Sequence, residues 1–74
     1  MYENLRALRE DRDINQTKMA KTLKVHQTTY SDYELGKLNI PTDVLVQLAL
    51  FFDTSVDYIL GLTDEMKPYP RKKK

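Results

Sequence analysis

Cysteine is absent from this 74-residue chain, and histidine occurs once, at position 26. Without thiols there is no disulfide staple and no thiolate metal site. A single imidazole leaves no histidine-based metal cluster either. Apolar runs stay far short of the ~18 residues that a membrane-spanning helix needs. The N-terminus has no basic-then-apolar leader pattern. No nucleophile stands at a working distance from a base, and no glycine-rich loop cradles a phosphate. Asp11, Asp13, Asp43 and Asp57 read as ordinary cap and surface acids rather than a general acid/base pair. These absences point to a soluble, cytosolic protein that is not an enzyme and uses no metal or cofactor. The length allows one domain and one modest core.

The net charge of +1 conceals three blocks of different sign. Residues 1–37 hold seven Lys/Arg against six Asp/Glu, residues 38–66 hold five acids and no Lys/Arg, and residues 67–74 hold five Lys/Arg and no acid. A polyanionic partner would be accepted by the first block and the tail, and the acidic block would face away from it.

Periodicity predicts five short helices and no strand. The first covers Tyr2–Asp11, with Leu5 and Leu8 one turn apart and Arg9 and Arg12 continuing that face. Asn15 is a good N-cap for the second, Gln16–Leu23, whose inward stripe is Met19, Ala20 and Leu23. A turn at Lys24–His26 leads to the third, Gln27–Glu34, with Tyr30 and Tyr33 directed to the core. Gly36 stands just past its end, where glycine enters the left-handed region at little cost. Thr42, preceded by Pro41, is expected to cap the fourth helix, Asp43–Phe52, whose core stripe reads Leu45, Leu48, Ala49 and Phe52. Ser55 caps the fifth, Val56–Leu60, and Gly61 stops it. Residues 1–64 form the expected domain, and residues 65–74, with two prolines and a basic run, the expected disordered tail.

Two helices of about eight residues joined by a three-residue turn make a helix-turn-helix. At 100° per residue, Gln27, Thr28, Ser31 and Asp32 share the outward side of the third helix. That face is short, polar and able both to donate and to accept. Base edges in the major groove are read by such groups, together with methyl contacts. Val46 and Leu50 lie four apart on the fourth helix, opposite its core stripe. With Tyr58 and Leu62 they are the expected contact of a homodimer.

Beyond geometry, the chain resembles the Cro/phage-repressor (XRE) helix-turn-helix family from about Leu5 to Thr63. The resemblance runs through NLRALRED, then NQTKMAKTLKVHQTTYSDYELGK, then PTDVLVQLALFF and TSVDYILGLTD, with Gln16, Ala20, Val25, Glu34 and Gly36 in ungapped register. It implies an all-α, lambda-repressor-like domain that binds double-stranded DNA as a homodimer. The implied activity is sequence-specific transcriptional regulation, of repressor type, in a prokaryotic cytosol or from a phage. Gln27, Thr28, Ser31 and Asp32 are the implied base readers. Gln16 is the implied backbone anchor, with Asn15, Lys18, Lys24, His26 and Lys37 as further phosphate contacts. Arg9 and Glu34 resemble the family's partly buried ion pair, a structural role. No small-molecule ligand is expected, because the chain shows no second domain to sense one.

Three departures from the pattern stand out. Asp32 is an acid on a face that meets DNA, though it can accept from cytosine N4. Lys24 stands where glycine is frequent and is expected at positive φ. His26 replaces the usual Ser/Thr cap and is a weaker one. Asp32 and a loop with Lys37 as its one cation favour a rival reading. In that rival, the same fold serves as a protein-interaction module, antitoxin-like or anti-regulator, with weak DNA binding.

Overall fold

Five α-helices and the turns between them organise residues 1–70, the part of the chain that the structure, a computed structural model, describes. They are α1 (Glu3–Asp11), α2 (Gln16–Leu23), α3 (Gln27–Leu35), α4 (Thr42–Phe51) and α5 (Val56–Ile59). No strand occurs among the described residues. α2 packs on α3, α4 on α5, and α1 bridges α3 and α5. Leu5 and Leu8 of α1 meet Met19, Ala20 and Leu23 of α2, Tyr30 and Tyr33 of α3, and Val44, Leu48 and Ala49 of α4 in one core, closed by Phe52 and Ile59.

The start of α2 follows from one side chain. Asn15 has extended backbone geometry, and its side chain accepts the Lys18 N–H at 2.8 Å, satisfying a donor that the first turn leaves open. Ser55 does the same for the Tyr58 N–H at the head of α5. His26 precedes α3 in extended geometry but makes no capping bond, as its ring chemistry predicts.

All five helices end alike. In each, a residue at positive φ donates its N–H three residues back, and the next residue donates five residues back. The pairs of donors are Asp13 and Ile14, Lys24 and Val25, Gly36 and Lys37, Asp53 and Thr54, and Gly61 and Leu62. Only Gly36 and Gly61 are glycines; Asp13, Lys24 and Asp53 adopt φ of 55°, 59° and 52°. Aspartate tolerates this region better than most residues do, whereas lysine has no such compensation. Ile14 and Val25, which follow two of these residues, pack against the core and lock the chain reversal in place.

α4 departs from the sequence reading. It begins at Thr42, with Pro41 in the cap position and no side-chain cap bond, so Thr42 is the first helical residue and not the N-cap. Val44 takes the core position and Leu45 is only half-buried. The reason is that α4 is apolar nearly all round, so its periodicity does not single out one face. Smaller shifts are that α1 starts at Glu3, α3 runs on to Leu35 and α5 stops at Ile59.

Contacts cross residue 64. Thr54 Oγ1 donates to the Met66 carbonyl at 2.6 Å, and the Tyr69 hydroxyl donates to Asp57 Oδ2 at 3.0 Å. Arg71–Lys74, the end of the expected tail, lie outside the described residues.

Because a side chain in the left-handed region costs ~1–2 kcal/mol relative to glycine, Lys24→Gly is expected to raise unfolding stability by about 1 kcal/mol. A shift of the urea midpoint at constant slope checks this, and an unchanged midpoint contradicts it.

Candidate nucleic-acid interface

α3 is fixed from behind by a buried charge pair. Arg9 Nε and Nη2 donate to the two Glu34 carboxylate oxygens at 2.6 and 3.2 Å, and Arg9 Nη1 donates to the Ile14 carbonyl at 2.8 Å. Glu34 is 2% exposed and Arg9 8%. One guanidinium therefore joins α1, the loop before α2 and the last turn of α3. At the same end of α3, the Tyr2 N–H donates to the Glu34 carbonyl at 2.8 Å. Tyr30 is fully buried one turn before Glu34, and its hydroxyl has no hydrogen-bond partner among the described residues. Burial, and then the neighbouring Glu34 carboxylate, push the Tyr30 phenol pKa above its ordinary value of 10.

With Tyr30, Tyr33 and Glu34 held inward, the opposite side of α3 is presented. Gln27 and Thr28 are exposed on its first turn, and Ser31 and Asp32 are half-exposed on the next. None of the four side chains makes a hydrogen bond among the described residues. The Asp32 carbonyl, by contrast, is committed: it accepts the N–H groups of Lys37 and Leu38 that close the helix. The unspent groups are a carboxamide, two hydroxyls with one methyl, and a carboxylate.

The expected backbone-contact residues surround this helix in the chain. Lys18, Lys24, His26 and Lys37 are exposed. Asn15 spends its carbonyl oxygen on the α2 cap, which leaves its NH₂ group. Gln16 is half-buried, and its Nε2 donates to Glu34 Oε1 at 3.4 Å. That link was not legible in the sequence, because the partners lie eighteen positions apart.

Arg12 has a role that periodicity also missed. Its guanidinium donates to the Phe51 and Phe52 carbonyls, both at 3.1 Å, and lies 5.3 Å from the centroid of the Phe52 ring. It thus places a cation at the C-terminus of α4, where the helix dipole favours one. Asn4 Nδ2 similarly ties α1 to the Tyr58 carbonyl at 2.8 Å.

Of the four residues expected at a dimer contact, two line one groove. Val46 and Leu50 are 47% and 57% exposed and line a groove of about 400 Å³ with Ala49, Val56, Pro68 and Tyr69. Tyr58 packs against the core instead, and Leu62 is exposed; neither lines the groove. No helix among the described residues is long and apolar enough to cross a membrane.

A family model described as helix-turn-helix matches residues 5–59. The chain belongs to the Cro/phage-repressor (XRE) helix-turn-helix family. Two relatives come from Bacillus subtilis (strain 168). The uncharacterized HTH-type transcriptional regulator YobD is 39% identical over 74 residues, covering 99% of this chain and 66% of its own length. The uncharacterized HTH-type transcriptional regulator YqaE is 33% identical over 58 residues, covering 78% of this chain and 50% of its own. The chain thus corresponds to between half and two thirds of each relative's length. No solved structure matches the chain. This helix-turn-helix family is one of transcriptional regulators and is generally non-enzymatic. The matched residues reach into all five helices and include Arg9, Gln16, Gln27, Thr28, Ser31, Asp32 and Glu34.

Tyr30 makes a pH prediction possible. Its folded pKa is raised, so above the ordinary value of 10 the unfolded chain releases its proton before the folded one does. Its contribution is therefore complete below that pH and is lost as pH rises beyond it. Tyr30→Phe should leave stability at ~pH 7 within about 1 kcal/mol, because the lost hydroxyl had no partner. It should also reduce the fall in Tm between ~pH 7 and ~pH 11. An equal fall in both proteins would contradict this.

Proposed function

We propose that this protein is a sequence-specific DNA-binding regulator, of repressor type, that places α3 in the major groove. The single observation that carries the reading is the state of α3. One face is locked into the core by Tyr30, Tyr33 and the Arg9–Glu34 pair, while the other holds four polar side chains with their hydrogen-bonding groups unspent. Gln27 can bridge adenine N6 and N7, Thr28 can touch a thymine methyl, Ser31 can take either polarity, and Asp32 can accept from cytosine N4. Gln16, Asn15, Lys18, Lys24, His26 and Lys37 hold phosphates, aided by the N-terminus of α2.

Two copies bind a roughly palindromic site, with half-sites about one helical turn apart. Val46 and Leu50 supply the apolar centre of that contact, and Leu62 and Tyr58 its margin. The acidic block from Leu38 to Met66 faces away from the duplex. Arg71–Lys74 add affinity that does not depend on sequence and weakens with salt. The protein works in a prokaryotic cytosol.

A second reading has one specific observation in its favour. The Asp32 carboxylate is half-exposed on the presented face and has no ion-pair partner among the described residues, which weakens attraction to phosphate. In that reading the domain is a protein-interaction module with weak DNA binding. In-vitro selection of bound duplexes from a random pool separates the two: an enriched, two-fold symmetric site supports the regulator, and no enrichment supports the module.

Gln27→Ala is expected to weaken the selected site by ~1–3 kcal/mol and to relax preference at one base position. A uniform loss across all sequences, measured by competition binding, would remove the base-reading role. Leu50→Glu is expected to halve the sedimentation mass and lower DNA affinity. A variant that keeps both would refute the assigned dimer contact.

A further inference from the structure

We infer that Glu34 is also a positioning residue for DNA binding, fixing the Gln16 carboxamide so that it presents an N–H donor to a phosphate. The inference rests on the reading of Gln16 as a backbone anchor and goes beyond the structural role of the ion pair. It begins from a chemical ambiguity. A glutamine amide turned one way offers two N–H donors, and turned the other way offers only its oxygen. A phosphate only accepts, so half of the orientations of an unguided Gln16 would present the wrong atom.

Glu34 removes that choice. Its carboxylate is ionised against Arg9, so it too can only accept. Its Oε2 takes Arg9 Nε at 2.6 Å, and its Oε1 takes Arg9 Nη2 at 3.2 Å and Gln16 Nε2 at 3.4 Å. A flipped Gln16 would set its own oxygen against a carboxylate oxygen in a site where Glu34 is 2% exposed. Little water is available there to screen that repulsion. The NH₂ group is therefore held toward Glu34, and its second hydrogen remains for another acceptor.

The neighbouring backbone matches this assignment. Gln16 opens α2, and Asn15 consumes the Lys18 N–H. The N–H groups of Gln16 and Thr17 have no partner among the described residues. An anion at this helix end would meet them together with the oriented amide. The same carboxylate lies in the last turn of α3, the helix that carries the base-reading face. One buried group thus sets the register between the phosphate anchor and the reading helix.

The test is a double-mutant cycle on Gln16→Ala and Glu34→Gln, each protein first checked for its native circular dichroism and melt. Binding is measured on a mixed-sequence duplex of about three helical turns at low salt, where phosphate contacts dominate. Glu34→Gln is expected to weaken binding about fivefold when Gln16 is present and less than about twofold in the Gln16→Ala background. Equal factors in both backgrounds would make Glu34 purely structural and overturn the proposal. If Gln16→Ala alone leaves binding unchanged, the anchor reading itself fails, and the positioning role fails with it.

A second measurement does not depend on the Glu34 variant folding. The Gln16 side-chain NH₂ signals of the unmutated protein, assigned by their loss in Gln16→Ala, should lie away from free-glutamine positions and exchange slowly with solvent. Free-glutamine shifts with fast exchange would overturn the proposal.

Discussion

The buried contact between Arg9 and Glu34 is the constraint on which the arrangement of this domain depends. Taking two charges out of water is costly, and the attraction between them repays that cost only with good geometry and full hydrogen bonding. Here the guanidinium makes two bonds to the carboxylate and a third to a loop carbonyl. Removing one partner of such a pair costs ~3–5 kcal/mol, comparable with the whole stability of many small domains. The exposed Arg6–Glu10 pair, one helical turn apart, is worth about a tenth of that. Number of ion pairs is therefore uninformative here, and burial decides.

Around that pair the chain economises on length. A domain of this size that has no cysteine to form a disulfide must close its helices efficiently. It does so with one device used five times, a left-handed residue that returns two N–H groups to the last turn. Each closure satisfies carbonyls that would otherwise need solvent. Two of them also direct an apolar residue, Ile14 or Val25, back onto the core. Arg12 and Asn4 then bind the ends of α4 and α5 to α1 by long-range bonds to backbone carbonyls. Such bonds make the bundle depend on α1, although α1 presents none of the candidate contact side chains.

On the proposed reading, this division explains how a nearly neutral protein would present a selective surface. Rigidity comes from the inner face of α3, so the outer face is free to carry groups that serve no packing purpose. Those groups are short and polar, and they gain partners only when another molecule supplies them. The acids concentrated between Leu38 and Met66 limit indiscriminate attraction of a polyanion by the folded part. Selectivity on that reading comes from hydrogen-bond matching more than from bulk charge.

The sequence by itself determined the features governed by local chemistry. Asn15 and Leu23 bound α2, Gly36 and Gly61 mark chain reversals, and Tyr30 and Tyr33 follow the helical repeat into the core. The Arg9–Glu34 pair was available only because the chain resembles a family that has one. Tertiary structure alone decided the rest. Asp13 reads as an ordinary acid and Asp53 carries no signal of its own, since a modest left-handed preference is too weak without the surrounding bonds. Val44 displaced Leu45 from the core because an almost wholly apolar helix has no face until another helix packs against it. The link from Gln16 to Glu34 required α2 and α3 to be packed before it existed. Local free energies fix where a helix starts and stops, whereas which side chains meet across the core depends on how all five pack together.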